Sequence, residues 1–239
     1  MIHSLKFKST LTVLALAMLA ACGDGSDSAL NVTGTAATGL AIDGGAVSVQ
    51  CKSGTGTATT SSTGTYTVGI NNGQGPCLVV VTKGNLTLRS IAEFSTSSQA
   101  VANVTPITNA IVNAIAAAKG TTVDGLIGTQ APTAAEISTA ANSVVAVLNT
   151  ALAAAGWTGG TLTAAQLLSD PAFTAATASS PTAGSVLDQA MDLLIPTGQT
   201  ELPAAVITSI ETEVAKQVDP TATGATGGTG ATGATGSTT

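Results

Sequence analysis

The chain predicts an α+β protein in which an N-terminal antiparallel β-sandwich is followed by an Ala-rich helical region. Two observations carry this. From about Asn31 to Phe94, short β-branched runs alternate apolar and polar residues between Gly, Asn and Ser turns, the period of half-buried strands. After Phe94 the apolar spacing changes to three and four, and helix caps and stops punctuate the chain. The expected organisation is a signal peptide over 1–21, a tether over 22–30, a sandwich over 31–100, a helical domain over 101–219 and a low-complexity tail over 220–239.

The first segment carries His3, Lys6 and Lys8 ahead of an uncharged apolar stretch, Leu11 to Ala21. This is the plan of a secretory signal. As a helix the stretch would reach about 16 Å, roughly half the hydrocarbon core of a bilayer, too short to span it. It ends in Leu19-Ala20-Ala21-Cys22, which resembles the lipobox of bacterial lipoproteins. The resemblance implies cleavage before Cys22, a lipid on its thiol, and a membrane as the partner of that lipid. Gly23 rather than aspartate follows the cysteine, which under the same family's sorting rule implies the outer membrane. The tether G-D-G-S-D-S is polar and Gly-rich. Its Asp24 and Asp27 are too few for calcium, which takes six to eight oxygens.

Removal of the signal leaves five Lys or Arg against thirteen Asp or Glu, a net charge of −8. Lys52, Lys83, Arg89, Lys119 and Lys216 are scattered, so no nucleic-acid partner is expected. Removal also discards the only histidine. With Cys22 assigned to lipid, Cys51 and Cys77 remain as an even pair in an exported chain and are expected to form a disulfide. They have no histidine companions for zinc.

Within the sandwich, Val47, Val49 and Cys51 fall on one strand face and Ser48 and Gln50 on the other. Tyr66, Val68 and Ile70 repeat the alternation after Gly64. Cys77 to Val81 is continuously apolar, as in a central strand, and Leu86 and Leu88 resume the alternation. Five or six strands burying one face each would make a sandwich, with the disulfide tying an early strand to a late one.

The run G-T-A-A-T-G-L-A-I-D-G-G-A-V-S-V-Q-C followed by T-S-S-T-G-T-Y-T-V resembles the transthyretin-like, carboxypeptidase regulatory-like β-sandwich domain. The family's G-x-Y turn is here Gly64-Thr65-Tyr66. Asn103-Val104-Thr105-Pro106 resembles the N-V-T-P-L-T segment that follows this domain in a group of proteobacterial lipoproteins of uncharacterised function. The resemblance covers Asn31 to Asn113, with a fainter echo at Ser185 to Leu194. The turn T-S-S-T-G-T-Y lacks the aspartate and asparagine of the commoner form, so no calcium role is carried over to it.

In the helical region, Thr105-Pro106 is a cap and first-turn pair ahead of the stripe Ile107, Ile111 and Ile115, which stops at Gly120. Thr133 and Glu136 form a capping box before Ile137, Ala141, Val144, Val145, Leu148 and Leu152, closed by Gly156. Two more helices are expected, Val186 to Leu194 and Pro203 to Gln217. They should pack on one another and on the sandwich. In the tail, Gly224, Gly227, Gly230, Gly233 and Gly236 recur every third residue in collagen-like fashion, but the triplets lack proline, so a flexible segment is expected rather than a trimerising one.

Candidate chemistry is sparse. The mature chain has no histidine for a Ser-His-Asp triad, and no phosphate loop or nucleophile elbow. Asp188 and Asp192 lie one helical turn apart, flank apolar Leu187, Met191 and Leu194, and are expected on a solvated helix edge. Glu211 and Glu213 point to different sides. Tyr66 alternates with core valines, leaving Trp157 as the candidate ring for sugar stacking. No catalytic residue, cofactor or metal site is therefore assigned. The expected role is a non-catalytic interaction or structural module of the envelope, meeting an envelope protein or polysaccharide. A carbohydrate-binding module and a carboxylate-only hydrolase are the alternatives.

Overall fold

The computed structural model describes residues 30–94, 98–128, 130–196 and 199–218. The expectations for the signal peptide, Cys22, most of the tether and the Gly-rich tail lie outside them. The described strands are β1 (Leu30–Thr35), β2 (Ala46–Ser53), β3 (Thr55–Thr59), β4 (Thr65–Ile70), β5 (Gln74–Lys83), β6 (Leu86–Ala92) and β7 (Gln99–Val101). Helices α1 (Pro106–Ala118), α2 (Ala134–Ala154), α3 (Ala164–Leu168), α4 (Val186–Leu194) and α5 (Ala204–Val218) follow. The class is α+β, with strands preceding helices.

Two sheets form, in the orders β4-β1-β7 and β3-β2-β5-β6. All ladders are antiparallel except β1 with β7, which is parallel and places Val32 opposite Ala100. The alternation read in the sequence sets the facing. Val47, Val49 and Cys51 of β2 are buried while Ser48 and Gln50 are exposed, and Tyr66, Val68 and Ile70 of β4 point inward. These side chains, with Val32, Val79, Val81 and Leu88, fill the space between the sheets.

One expectation needs correction: β5 and β6 do not bury a single face each. Cys77, Val79 and Val81 enter the sandwich core, whereas Leu78 and Ile91 enter a second core shared with the helices. The continuous apolar run of β5 is the signature of a strand covered on both sides. The covering element over β6 is α1. Its Ile107, Ile111 and Ile115 are fully buried, and so are Thr108 and Val112 on neighbouring faces, because β6, α2 and α5 enclose it. The molecule therefore has three layers.

α2 presents Ile137, Ala140, Val144, Leu148 and Leu152 to this second core, a stripe at spacings of three and four, and Ala141 of the expected stripe is also buried. Thr133 caps it and Glu136 returns the bond, the box read from sequence. α5 adds Ile210 and Val214, and α4 adds Leu187, Ala190, Met191 and Leu194. By length and composition α2 is also apolar enough to cross a bilayer, but its stripe here faces protein.

Candidate functional site

The motifs that stand out in the sequence converge on one place, the joint between sandwich and helices. Asn103 sits just past β7. Its Oδ1 accepts from the Thr35 backbone N–H at 3.1 Å, its Nδ2 donates to the Asp170 carbonyl at 2.9 Å, and its own N–H donates to Leu168 at 2.9 Å. One buried side chain thus ties β1 to the segment after α3. Two residues on, Thr105 caps α1, with its Oγ1 accepting from the Thr108 N–H at 3.2 Å. Thr108 Oγ1 in turn accepts from the Thr105 N–H at 2.9 Å and lies 2.9 Å from the Arg89 carbonyl of β6, to which it donates.

Tyr66, the tyrosine of G-x-Y, reaches the same joint. Its hydroxyl donates to the carbonyl of Ala102, the residue before Asn103. Burial pushes this phenol's pKa well above its ordinary value, so it is a permanent donor. Gly34 of β1 lies opposite Tyr66, and any Cβ there would collide with the Ala102 carbonyl and crowd the Tyr66 hydroxyl. G-x-Y and N-V-T-P are thus parts of one structural connection. Their polar atoms are engaged within the chain.

Cys51 and Cys77 form the expected disulfide. They are directly opposed residues of the neighbouring strands β2 and β5, and both are buried. The bridge staples one sheet; it does not join the two.

The acidic residues separate into distinct environments. Glu136 is partly desolvated, which pulls its pKa up, but hydrogen bonds from Lys119 and Thr133 and the Lys119 charge outweigh this and hold it below the usual value. Glu213 pairs with Lys216 at 2.7 Å. Glu211 is exposed and forms no ion pair with a described residue. Asp192 is exposed as expected, but Asp188 is not a solvated edge residue. Only 1% of its surface is accessible. The segment 173–184 folds over α4, and the Ala176 N–H donates to Asp188 Oδ2 at 3.0 Å. Oδ1 is buried without a partner. Desolvation raises the Asp188 pKa to about 6; the Ala176 hydrogen bond opposes the shift, and the Asp192 charge adds to it.

Among the described residues no group of three or more His, Cys, Asp or Glu is placed to hold a metal. Trp157 is half-buried against the helical core, and its indole N–H donates to the Gly160 carbonyl at 2.7 Å. Its ring is folded over its own loop, beside Gly159.

Two grooves remain. One, of about 820 Å³, runs between α2 and α5 and is lined by small residues such as Ala146, Val147, Ala151 and Val206, with Glu213 its one carboxylate. The other, of about 440 Å³, lies where the turn after β1 meets the end of α4. Thr38, Gly39, Leu40, Asp192, Ile195 and Pro196 line it. This second groove has no local signal in the chain, because its walls are about 150 residues apart, a distance no hydrophobic period spans. Comparison with family models, with curated proteins and with solved structures yields no match for this chain.

Proposed function

We propose that this protein is a lipid-anchored, non-catalytic interaction or structural module of the bacterial envelope, held by Cys22, in the outer membrane. The lipobox read from the sequence supports the anchor, and the resemblance to carboxypeptidase regulatory-like lipoproteins supports the class. The observation that carries the non-catalytic reading is the joint. Tyr66, Asn103, Thr105 and Thr108 spend their polar atoms fixing the helices to the sandwich. Such residues make a rigid platform rather than a reaction centre.

The alternatives draw less support. The Trp157 ring closes over its own loop instead of standing free for a sugar. Asp188 and Asp192 share one helix, and the first is buried against a backbone amide, an arrangement unlike two carboxylates facing each other across a cleft.

The test has two arms in intact cells. Metabolic labelling with an alkyne-palmitate should tag the wild-type chain and leave Cys22→Ala unlabelled and outside the membrane fraction. Crosslinking followed by mass spectrometry should then recover an envelope protein or polymer with the anchored chain. Labelling that survives Cys22→Ala would refute the anchor, and recovery of nothing above background would refute the interaction role.

A further inference from the structure

The connection between α3 and α4 runs from Ser169 to Ser185 without a helix or a strand. Irregular connections beyond about 15 residues are uncommon in compact folds and are often lids. The tip of this one, Ala178 to Ala183, is exposed, while Phe173, Ala175 and Ala176 behind it are buried. Few bonds fasten it. On the sandwich side, the Thr35 hydroxyl donates to the Phe173 carbonyl at 3.3 Å and the Ala41 N–H to the Ala176 carbonyl at 2.8 Å. On the α4 side, the Ser185 N–H donates to the Thr174 carbonyl at 2.9 Å and the Ala176 N–H to Asp188 Oδ2 at 3.0 Å. Ala176 thus bridges the turn after β1 and α4 with its two backbone groups.

The bridge lands on a carboxyl that is almost wholly buried, with Oδ1 unpartnered among the described residues. No cation faces it. The covering segment carries only Asp170, at its far end, where Oδ1 accepts from the Ala172 N–H. The turn after β1 carries only Asp43, which is exposed. The charged residue of α2 is Glu136, paired with Lys119, and the acidic neighbour on α4 itself is Asp192. A buried charge with one N–H donor and a like charge nearby is costly, whereas the neutral acid is not. Burial accordingly pushes the Asp188 pKa up to about 6.

We propose that the segment from Phe173 to Gly184 is a latch released by ionisation of Asp188. With the carboxyl neutral, the segment lies closed over α4. As the carboxyl ionises, the segment lifts locally, lets water reach Asp188 and frees the turn after β1, while the sheets and the other helices stay folded. Opening uncovers Phe173, Ala175 and Ala176, so pH sets how often this apolar surface is presented. The latch does not depend on the interaction role proposed above.

Amide hydrogen exchange of the full, disulfide-bonded chain, read by NMR in detergent buffer and divided by the intrinsic rate at each pH, measures the opening. The Ala41 and Ala176 N–H groups report the latch, and the amides of β5 report global unfolding. Ala41 and Ala176 should be less protected than β5, and dilute urea should hardly change their protection, because local opening exposes little surface. From about pH 4.5 to about pH 7.5 their protection should fall roughly 25-fold, the factor that follows from a carboxyl pKa of about 6 closed and 3.8 open. Asp188→Asn should remove most of this fall. Protection at Ala41 and Ala176 that tracks β5 at every pH and urea concentration would overturn the latch, as would an equal fall in Asp188→Asn.

Discussion

Replacing Asp188 by Asn should stabilise the protein at neutral pH and remove part of its pH dependence. The Asp188 pKa rises from 3.8 to about 6 on folding, because the carboxyl is withdrawn from water and gains only the Ala176 N–H as a partner. At about 1.4 kcal/mol per pKa unit, the ionised group costs on the order of 3 kcal/mol of stability at neutral pH. The folded form binds the proton more tightly than the unfolded chain. The group's stabilisation is therefore fully present below 3.8 and is lost as the pH rises through about 6. Asp192 and Glu93, both raised by desolvation, act in the same direction. Glu136 acts oppositely, but its contribution is lost only as the pH falls through its lowered pKa. In Asp188→Asn the amide oxygen can still accept from Ala176, while the amide nitrogen occupies the unpartnered position and gives back about 1 kcal/mol. The expected net gain is about 1 to 2 kcal/mol near pH 7.5. Urea denaturation of the full, disulfide-bonded chain, followed by far-UV circular dichroism near pH 5 and near pH 7.5, measures it. A parent protein equally stable at both pH values, together with an Asn variant no more stable near pH 7.5, would show that Asp188 is not a buried, ionised carboxylate.

Two further outcomes follow from the same structure. Asn103→Ala leaves the buried Thr35 N–H without its acceptor and the Asp170 carbonyl without its donor. It should cost about 2 to 4 kcal/mol in denaturant unfolding and increase proteolytic cleavage between α3 and α4. Joint replacement of Cys51 and Cys77 by Ala should lower stability by about 2 to 4 kcal/mol with the strand content of the circular dichroism spectrum unchanged, because β2 and β5 remain paired through their backbones.

Local pattern carried much of the fold. The alternation of Tyr66, Val68 and Ile70 fixed which face of β4 is buried, since the side-chain period of a strand is two and the two faces of this one differ in polarity. The capping box Thr133 to Glu136 located the start of α2 because capping chemistry is confined to four residues. The same signal at Thr163 to Gln166 marks α3, which has no legible apolar period because a helix of five residues offers too few apolar positions to show one. β7 was illegible for a related reason. It is three residues long and pairs in parallel with β1, 68 positions away at Val32 and Ala100.

The misreading of Asp188 shows where local pattern stops. On α4 taken alone, Asp188 and Asp192 flank the apolar stripe of Leu187, Met191 and Leu194, and both belong at the water's edge. What buries one and not the other is the segment that ends at Gly184 just before the helix. Ala176 supplies the amide to Asp188, and the Ala176 carbonyl accepts from Ala41 at 2.8 Å, which ties this segment to the turn after β1. Gly184 makes the approach possible, because a Cβ there would collide with the Asp188 carboxylate. The burial of Asp188 and the groove beside Asp192 are thus consequences of one long-range contact between the helical layer and the sandwich. Loosening that contact should expose Asp188, return its pKa toward 3.8 and so remove its share of the pH dependence of stability in urea denaturation.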